Sequence, residues 1–161
     1  PRATADVDVT AVVPPGQEDR VIELLLADFE PRIADAGEFA AESRTLLVFA
    51  SNGCGVDVAL SGFWFDADAA KRAGELEVSP GRRLPICSVE DLIVMKSVAG
   101  RPIDESDLKF LIQVERERLD VGLIRSLLKQ YTAITDEDEP GRRFERFWGR
   151  YDPRTGNGKS G

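Results

Sequence analysis

Apolar and polar residues alternate along DVDVTAVV, from Asp6 to Val13, the period of a strand with two unlike faces. Pro14 and Pro15 stop it, because proline cannot donate to a sheet ladder. The pattern then changes period. In GQEDRVIELLLADFE the apolar positions Val21, Leu24, Leu25 and Phe29 recur at helical spacing. Two strand-like runs follow, Thr45–Ala50 and Val56–Leu60, joined through SNGCG. An Asn-Gly pair between apolar runs predicts a hairpin, hence adjacent antiparallel strands.

DADAAKRAG predicts a short helix ended by Gly74, and ELEV and RLPICS flank SPGR as a second hairpin. Ser88 followed by Asp91 opens the helix VEDLIVMKSVAG as an acidic form of the capping box. Asp104 and Asp107 repeat that arrangement for ESDLKFLIQVER, and Asp120 starts VGLIRSLLKQYTAI. After the acidic DEDEPG comes an amphipathic piece, RRFERFWGRY, with Phe144, Phe147 and Trp148 on one apolar side that docks on the domain. The segment DPRTGNGKSG has the composition of a flexible tail.

This order predicts an α+β fold, a small mixed β-sheet with helices packed on it followed by a helical C-terminal section. Residues 1–111 form the core, 112–150 the helical section of the same domain, and 151–161 the tail. At 161 residues the chain suffices for one domain with a real core. No apolar run reaches the roughly 18 residues a membrane helix needs.

Composition narrows the chemistry. The chain has no histidine, which excludes Ser-His and Cys-His catalysis, imidazole bases and His-ligated metals. Cys54 and Cys87 form no CxxC pair and read as reduced thiols of a cytoplasmic protein. The net charge of −8 argues against a surface coated with nucleic acid, but the charge is uneven. From Pro140 onward Arg142, Arg143, Arg146, Arg150, Arg154 and Lys159 face only Glu145 and Asp152, a net of +4 that leaves −12 before it.

The alternation returns attention to Asp6 and Asp8, two carboxylates on one side of an apolar strand. Like charges held so close favour a cation between them. Asp57, in GVDVAL, is a third acid flanked by valines, with Asp66 and Asp68 as the other candidates for that place. A strand-borne pair plus a third strand acid suits Mg2+, which takes carboxylate oxygens and completes its shell with water and phosphate. Two such ions serve phosphoryl and nucleotidyl transfer, chemistry that needs no histidine. The other reading of the pair is an exposed edge strand.

RATADVDV resembles the R-x-T-x-D-[IV]-D strand of the DNA polymerase β-like nucleotidyltransferase superfamily, particularly its small prokaryotic branches: AbiEii-type toxins, minimal nucleotidyltransferases and antibiotic nucleotidyltransferases. GVDVAL looks like the strand carrying that family's third metal carboxylate. PICSVEDLIVMKSVAGRPIDESDLKFL is similar to its later E-D-L, Lys, A-x-R-x-x-D-x-x-D-L segment. The resemblance runs from about Arg2 to Leu111. It implies that Asp6, Asp8 and Asp57 bind two Mg2+ ions, with Asp57 also a base toward the acceptor hydroxyl. It further implies that Lys96 touches a phosphate of the NTP substrate, and that Arg2 and Thr4 flank the phosphates or brace the strand.

The implied activity is transfer of a nucleoside monophosphate from an NTP to an acceptor hydroxyl on tRNA, a protein or a small molecule such as an antibiotic. A toxin with an antitoxin partner is one form of it. The alternative is a catalytically inactive binding protein of the same fold. The family places a Gly-Ser or Gly-Gly loop about ten residues before its Asp pair, whereas five residues precede Asp6 here. The expectation is therefore a parent protein with a further N-terminal part.

Several residues carry a plainer expectation. Lys96 also fits the wet side of a core helix, and Asp104 and Asp107 fit helix capping, with Arg101 placed to pair with either. Phe63, Trp64 and Phe65 fit a core better than a base-stacking platform, and Met95 is core filler.

Overall fold

A computed structural model of the chain describes residues 6–61 and 64–150, apart from the side chains of Trp64 and Arg150. Arg2, Thr4, Phe63 and the tail 151–161 lie outside the described residues. The chain divides into two compact units, Pro1–Lys71 and Arg72–Gly161. It is an α+β protein: a four-stranded mixed sheet with two helices comes first, then a hairpin and a group of helices.

In the first unit β1 (Asp6–Val12), α1 (Glu18–Asp28), β2 (Glu30–Pro31), α2 (Ala36–Ser43), β3 (Thr45–Phe49) and β4 (Gly55–Ser61) follow one another, and α3 (Trp64–Arg72) begins. The sheet order is β1-β4-β3-β2. The predicted β3–β4 hairpin forms, whereas β1 pairs with β4 in parallel. Parallel neighbours need a crossover, here everything from α1 to β3. One sheet face is apolar, with Leu46, Val48, Val58 and Leu60 buried against Ile22 of α1 and Ala36 and Ala40 of α2.

By register Val7 and Val9 share the apolar face with Val56 and Val58, yet they are 50% and 42% exposed. The helices bury the central strands and leave this edge strand half covered. The alternation of β1 thus gives one acidic face and one partly wet one, not a fully buried valine stripe.

Two elements carry no strong signal. The buried residues of α2 are only Ala36 and Ala40, so no stripe of large apolar side chains announces it, and β2 is two residues long and contains a proline.

The second unit begins with β5 (Gly74–Ser79) and β6 (Arg82–Ile86), the second predicted hairpin, which forms a separate two-stranded sheet. Helices α4 (Val89–Ala99), α5 (Pro102–Glu115), α6 (Val121–Thr135) and α7 (Glu139–Arg150) follow. The other three pack on α4, burying Ile93, Val94, Leu108, Ile112, Ile124, Leu127, Leu128, Phe144 and Phe147.

The predicted starts of α4 and α6 hold. The Ser88 hydroxyl accepts from the Asp91 N–H at 3.0 Å, and the Asp120 carboxylate from the Leu123 N–H at 2.9 Å. Helix α5 starts earlier than its pattern predicts, because Pro102 fits the first helical turn. Asp104 therefore lies inside the helix, accepting from the Arg101 N–H at 3.2 Å. Gly100 ends α4 at φ 62°, and a Cβ there would lie 2.5 Å from Cζ of Arg143, whose guanidinium donates to the Ser97 carbonyl.

Candidate functional site

The sheet register assembles a row of side chains. Asp8 lies opposite Asp57 in the parallel β1–β4 pair, and Asp57 opposite Leu47 in the antiparallel β3–β4 pair. The Arg32 N–H donates to the Leu47 carbonyl at 3.0 Å, extending the β2–β3 pairing by one residue. Asp6, two positions from Asp8, is opposite Gly55. Since alternate residues share a face and adjacent strands lie about 4.8 Å apart, Asp6, Asp8 and Asp57 project from one side, with Asp8 and Asp57 level.

A cation of the chain itself occupies part of this face. Nη1 of Arg32 donates to Oδ1 of Asp57, with the two side chains 24% and 33% exposed. Cζ of Arg32 is also 5.9 Å from the centre of the Phe49 ring, within cation–π range. The Asp6 carboxylate folds over Gly55: a Cβ at residue 55 would overlap Oδ1 of Asp6 and lie 3.1 Å from Nη1 of Arg32. Asp6, Asp57 and the guanidinium therefore converge above a position without a side chain. An open depression of about 720 Å³ adjoins this face through Phe49 and is also lined by Asp28, Phe29 and Glu30.

Among the described residues, no three ligating side chains are gathered closely enough to hold a metal ion. Carboxylate oxygens suit Mg2+ by their chemistry, and Asp8 and Asp57 stand side by side on adjacent strands. As placed, Asp57 is held by Arg32 and Asp6 folds over Gly55, so the three carboxylates do not close on one ion.

Gly55→Ala tests this packing. The new methyl pushes the Asp6 carboxylate aside, which costs little because a side-chain end can move. Expected are a stability change below about 1 kcal/mol and a displaced Asp6 carboxyl carbon resonance in the NMR spectrum. An unchanged resonance in a folded variant contradicts the close approach.

Lys96 belongs to the second unit. Its Nζ donates to Oδ1 of Asp104 at 3.0 Å and to Oδ2 of Asp107 at 2.9 Å. Asp104 is fully buried and also accepts from Nε and Nη2 of Arg101, at 2.6 and 3.1 Å. Hydrogen bonding from Arg101 lowers the Asp104 pKa to about 2, burial opposing and Lys96 assisting. Burial works against the charge on Lys96, but the bonds to Asp107 and Asp104 outweigh it and raise its pKa. The structure thus gathers Asp6, Asp8 and Asp57 on one face and sets Lys96 between two acids of α5. Asp68 pairs with Lys71 at 2.8 Å, and Phe65 is half-buried.

Two charged partnerships have no local signal in the sequence. Arg32 is one, placed by pairing across three strands. The other joins Arg72 to the fully buried Asp91, with Nη2–Oδ1 2.6 Å and Nε–Oδ2 3.1 Å, while the Ser88 hydroxyl donates to Oδ2 at 2.7 Å. E-D-L in the sequence shows an acid in a first helical turn, not that it is buried.

Three basic residues of α7 are answered by acids: Arg142 by Asp138 at 2.7 Å, and Arg143 and Arg146 by Glu105 at 3.2 and 2.8 Å. Neither Cys54 nor Cys87 forms a disulfide. Partial desolvation of the thiol of Cys87, an exposed residue, raises its pKa, with the Asp91 charge adding to it. Among the described residues no helix is long and apolar enough to cross a membrane. No protein-family model matches the chain, and no curated protein matches it.

Proposed function

We propose that the chain carries the acidic centre of a Mg2+-dependent nucleotidyltransferase, moving a nucleoside monophosphate from an NTP to an acceptor hydroxyl. The observation that carries this reading is the shared face of Asp6, Asp8 and Asp57, with Asp8 and Asp57 in register on adjacent strands. All three carboxylates would hold Mg2+, which when bound neutralises charge on the triphosphate and the leaving pyrophosphate. Asp57 would take the proton of the acceptor hydroxyl as its oxygen bonds to the α-phosphorus and the bond to the β-phosphate oxygen breaks. In this reading the three carboxylates position the reacting groups through the ion, and positioning with charge neutralisation supplies most of the rate in phosphoryl chemistry. In its own setting Lys96 supports the fold of the helical unit, and contact with a phosphate requires it to leave Asp104 and Asp107.

A second reading, a non-catalytic binding protein of the same architecture, is favoured by the hold of Arg32 on Asp57. Melting with each NTP, with and without Mg2+, separates the two. The enzyme reading expects a Mg2+-dependent rise with at least one NTP, about 2.7 kcal/mol of stabilisation at 100 times the dissociation constant, lost in Asp8→Asn. A rise that Asp8→Asn retains, or none with any NTP, leaves the binding-protein reading in its place.

A further inference from the structure

The four-stranded sheet has two edges, β2 and β1. The β2 edge is blunted, being two residues long with one of them Pro31, which has no N–H to offer. The β1 edge is not. Its seven residues contain no proline, keep an unbroken register with β4, and are all exposed except the half-buried Ala11. Among the described residues β4 is the strand that pairs with β1, which leaves the outer side of β1 without a strand neighbour. Asp6 and Asp8 stand on the sheet face rather than across this edge, so they do not bar a further strand. Val7 and Val9, 50% and 42% exposed, are apolar surface that the edge leaves wet.

We propose that β1 pairs antiparallel with β1 of a second copy of this chain, about a two-fold axis through Val9, making one eight-stranded sheet. Opposite residues of an antiparallel pair project from the same side. The axis must therefore pass through a residue, or the valines of one copy would continue the acidic side of the other. Through Val7 it sets Asp6 opposite Asp8, and through Asp8 it sets that carboxylate opposite its own copy. Like charges so placed destabilise a pair. Through Thr10 it sets Asp6 against Pro14, which lies beyond the strand, and only residues 8–12 pair. Val9 is the midpoint of β1, and an axis there pairs all seven residues: Val9 with Val9, Val7 with Ala11, Asp8 with Thr10, Asp6 with Val12. The strand thus complements itself over its full length with no acid facing an acid, and this is what singles out a second copy as the occupant. One strand pair covers less than the ~800 Å2 per partner of a standard interface, so the dimer is weak and depends on concentration. The two Asp8 carboxylates become diagonal neighbours about 7–8 Å apart, so added salt should tighten association by screening them.

The test places single cysteines in the Cys54→Ala/Cys87→Ala chain. Val9→Cys sets two thiols opposite one another on the axis, within the span of a disulfide. The two thiols of Val7→Cys stand four residues apart along the strands, roughly 13 Å. Under diamide, Val9→Cys is expected to give a covalent dimer at least about tenfold faster than Val7→Cys. Equal rates would mean random collision and overturn the register. In sedimentation equilibrium the unmodified chain should pass from monomer to dimer below about 1 mM. Val9→Lys puts two ammonium groups on the axis and should weaken the dimer by about tenfold or more. Leu76→Lys, at a position 51% exposed on the β5–β6 hairpin, should leave it unchanged. A chain that stays monomeric overturns the proposal, as does a dimer broken by Leu76→Lys and not by Val9→Lys, which would place the contact on the hairpin. Association that weakens with salt also overturns it, because this register forms no ion pair across the axis. Should Val9→Lys fail to fold, the two cysteine variants decide between the outcomes by themselves.

Discussion

Asp104→Ala is expected to destabilise the helical unit by about 2–3 kcal/mol, the scale of lost charge-assisted hydrogen bonds, because Lys96 keeps Asp107 and the Arg101 side chain is largely exposed, so no charge is left buried alone. The carboxylate is fully buried and receives Lys96 and Arg101 together. Without it, Lys96 keeps Asp107, and Arg101 loses the carboxylate that accepts from both its side chain and its backbone N–H. For a unit of this size the melting temperature falls by on the order of 10 °C or more. Asp107→Ala should cost less, since Asp107 is 29% exposed and Lys96 retains Asp104. A loss below about 1 kcal/mol for Asp104→Ala would contradict the network.

The same carboxylate fixes the direction of the acid response. Its folded pKa of about 2 lies below the ordinary 3.8, so its stabilisation is present above pH ~4 and is lost as pH falls through 2. That difference corresponds to about 2 kcal/mol. Acid unfolding curves of wild type and Asp104→Asn should therefore converge as pH drops from about 4 to 2.

Phe144→Ala is expected to cost about 3–5 kcal/mol by a different route, an unfilled cavity. Phe144 is fully buried and stacks on Trp148 at 6.1 Å. Arg116 covers the other partner of that pair, its Cζ 4.0 Å from the Trp148 ring centre. Loss of the phenyl ring should loosen α7 first, seen as faster amide hydrogen exchange in α7 than in α5. Uniform acceleration across α4 to α7 would mean instead that the four helices open as one unit.

What the sequence makes legible follows the range of each interaction. Capping is local, and Ser88 and Asp120 mark their helices correctly. Both hairpins are local too, as is the common side of Asp6 and Asp8, because period two fixes it. The pairing of Asp8 with Asp57 is not local. It depends on a parallel crossover of more than forty residues, and the sequence joined those two strands only through the chemistry of a third strand acid and the family resemblance, not through any signal of their pairing. Arg32 was illegible because a two-residue strand containing Pro31 has no alternation to read. Asp104 and Asp91 show that burial of a carboxylate depends on the cations that meet it: the Arg101–Asp104 pair is within reach of spacing and forms, whereas the meetings with Lys96 and Arg72 are not revealed by it.

The cap on α4 has a consequence for synthesis. The Ser97 carbonyl is satisfied by Arg143, 46 residues later in the chain. During translation the hub helix of the second unit leaves the ribosome long before the group that finishes its C-terminal turn. Until α7 follows, the surface of α4 that receives Phe144 and Phe147 stays open to water and to chaperones. The helical half of the protein, though rich in short-range contacts, must therefore wait for its final helix before it closes.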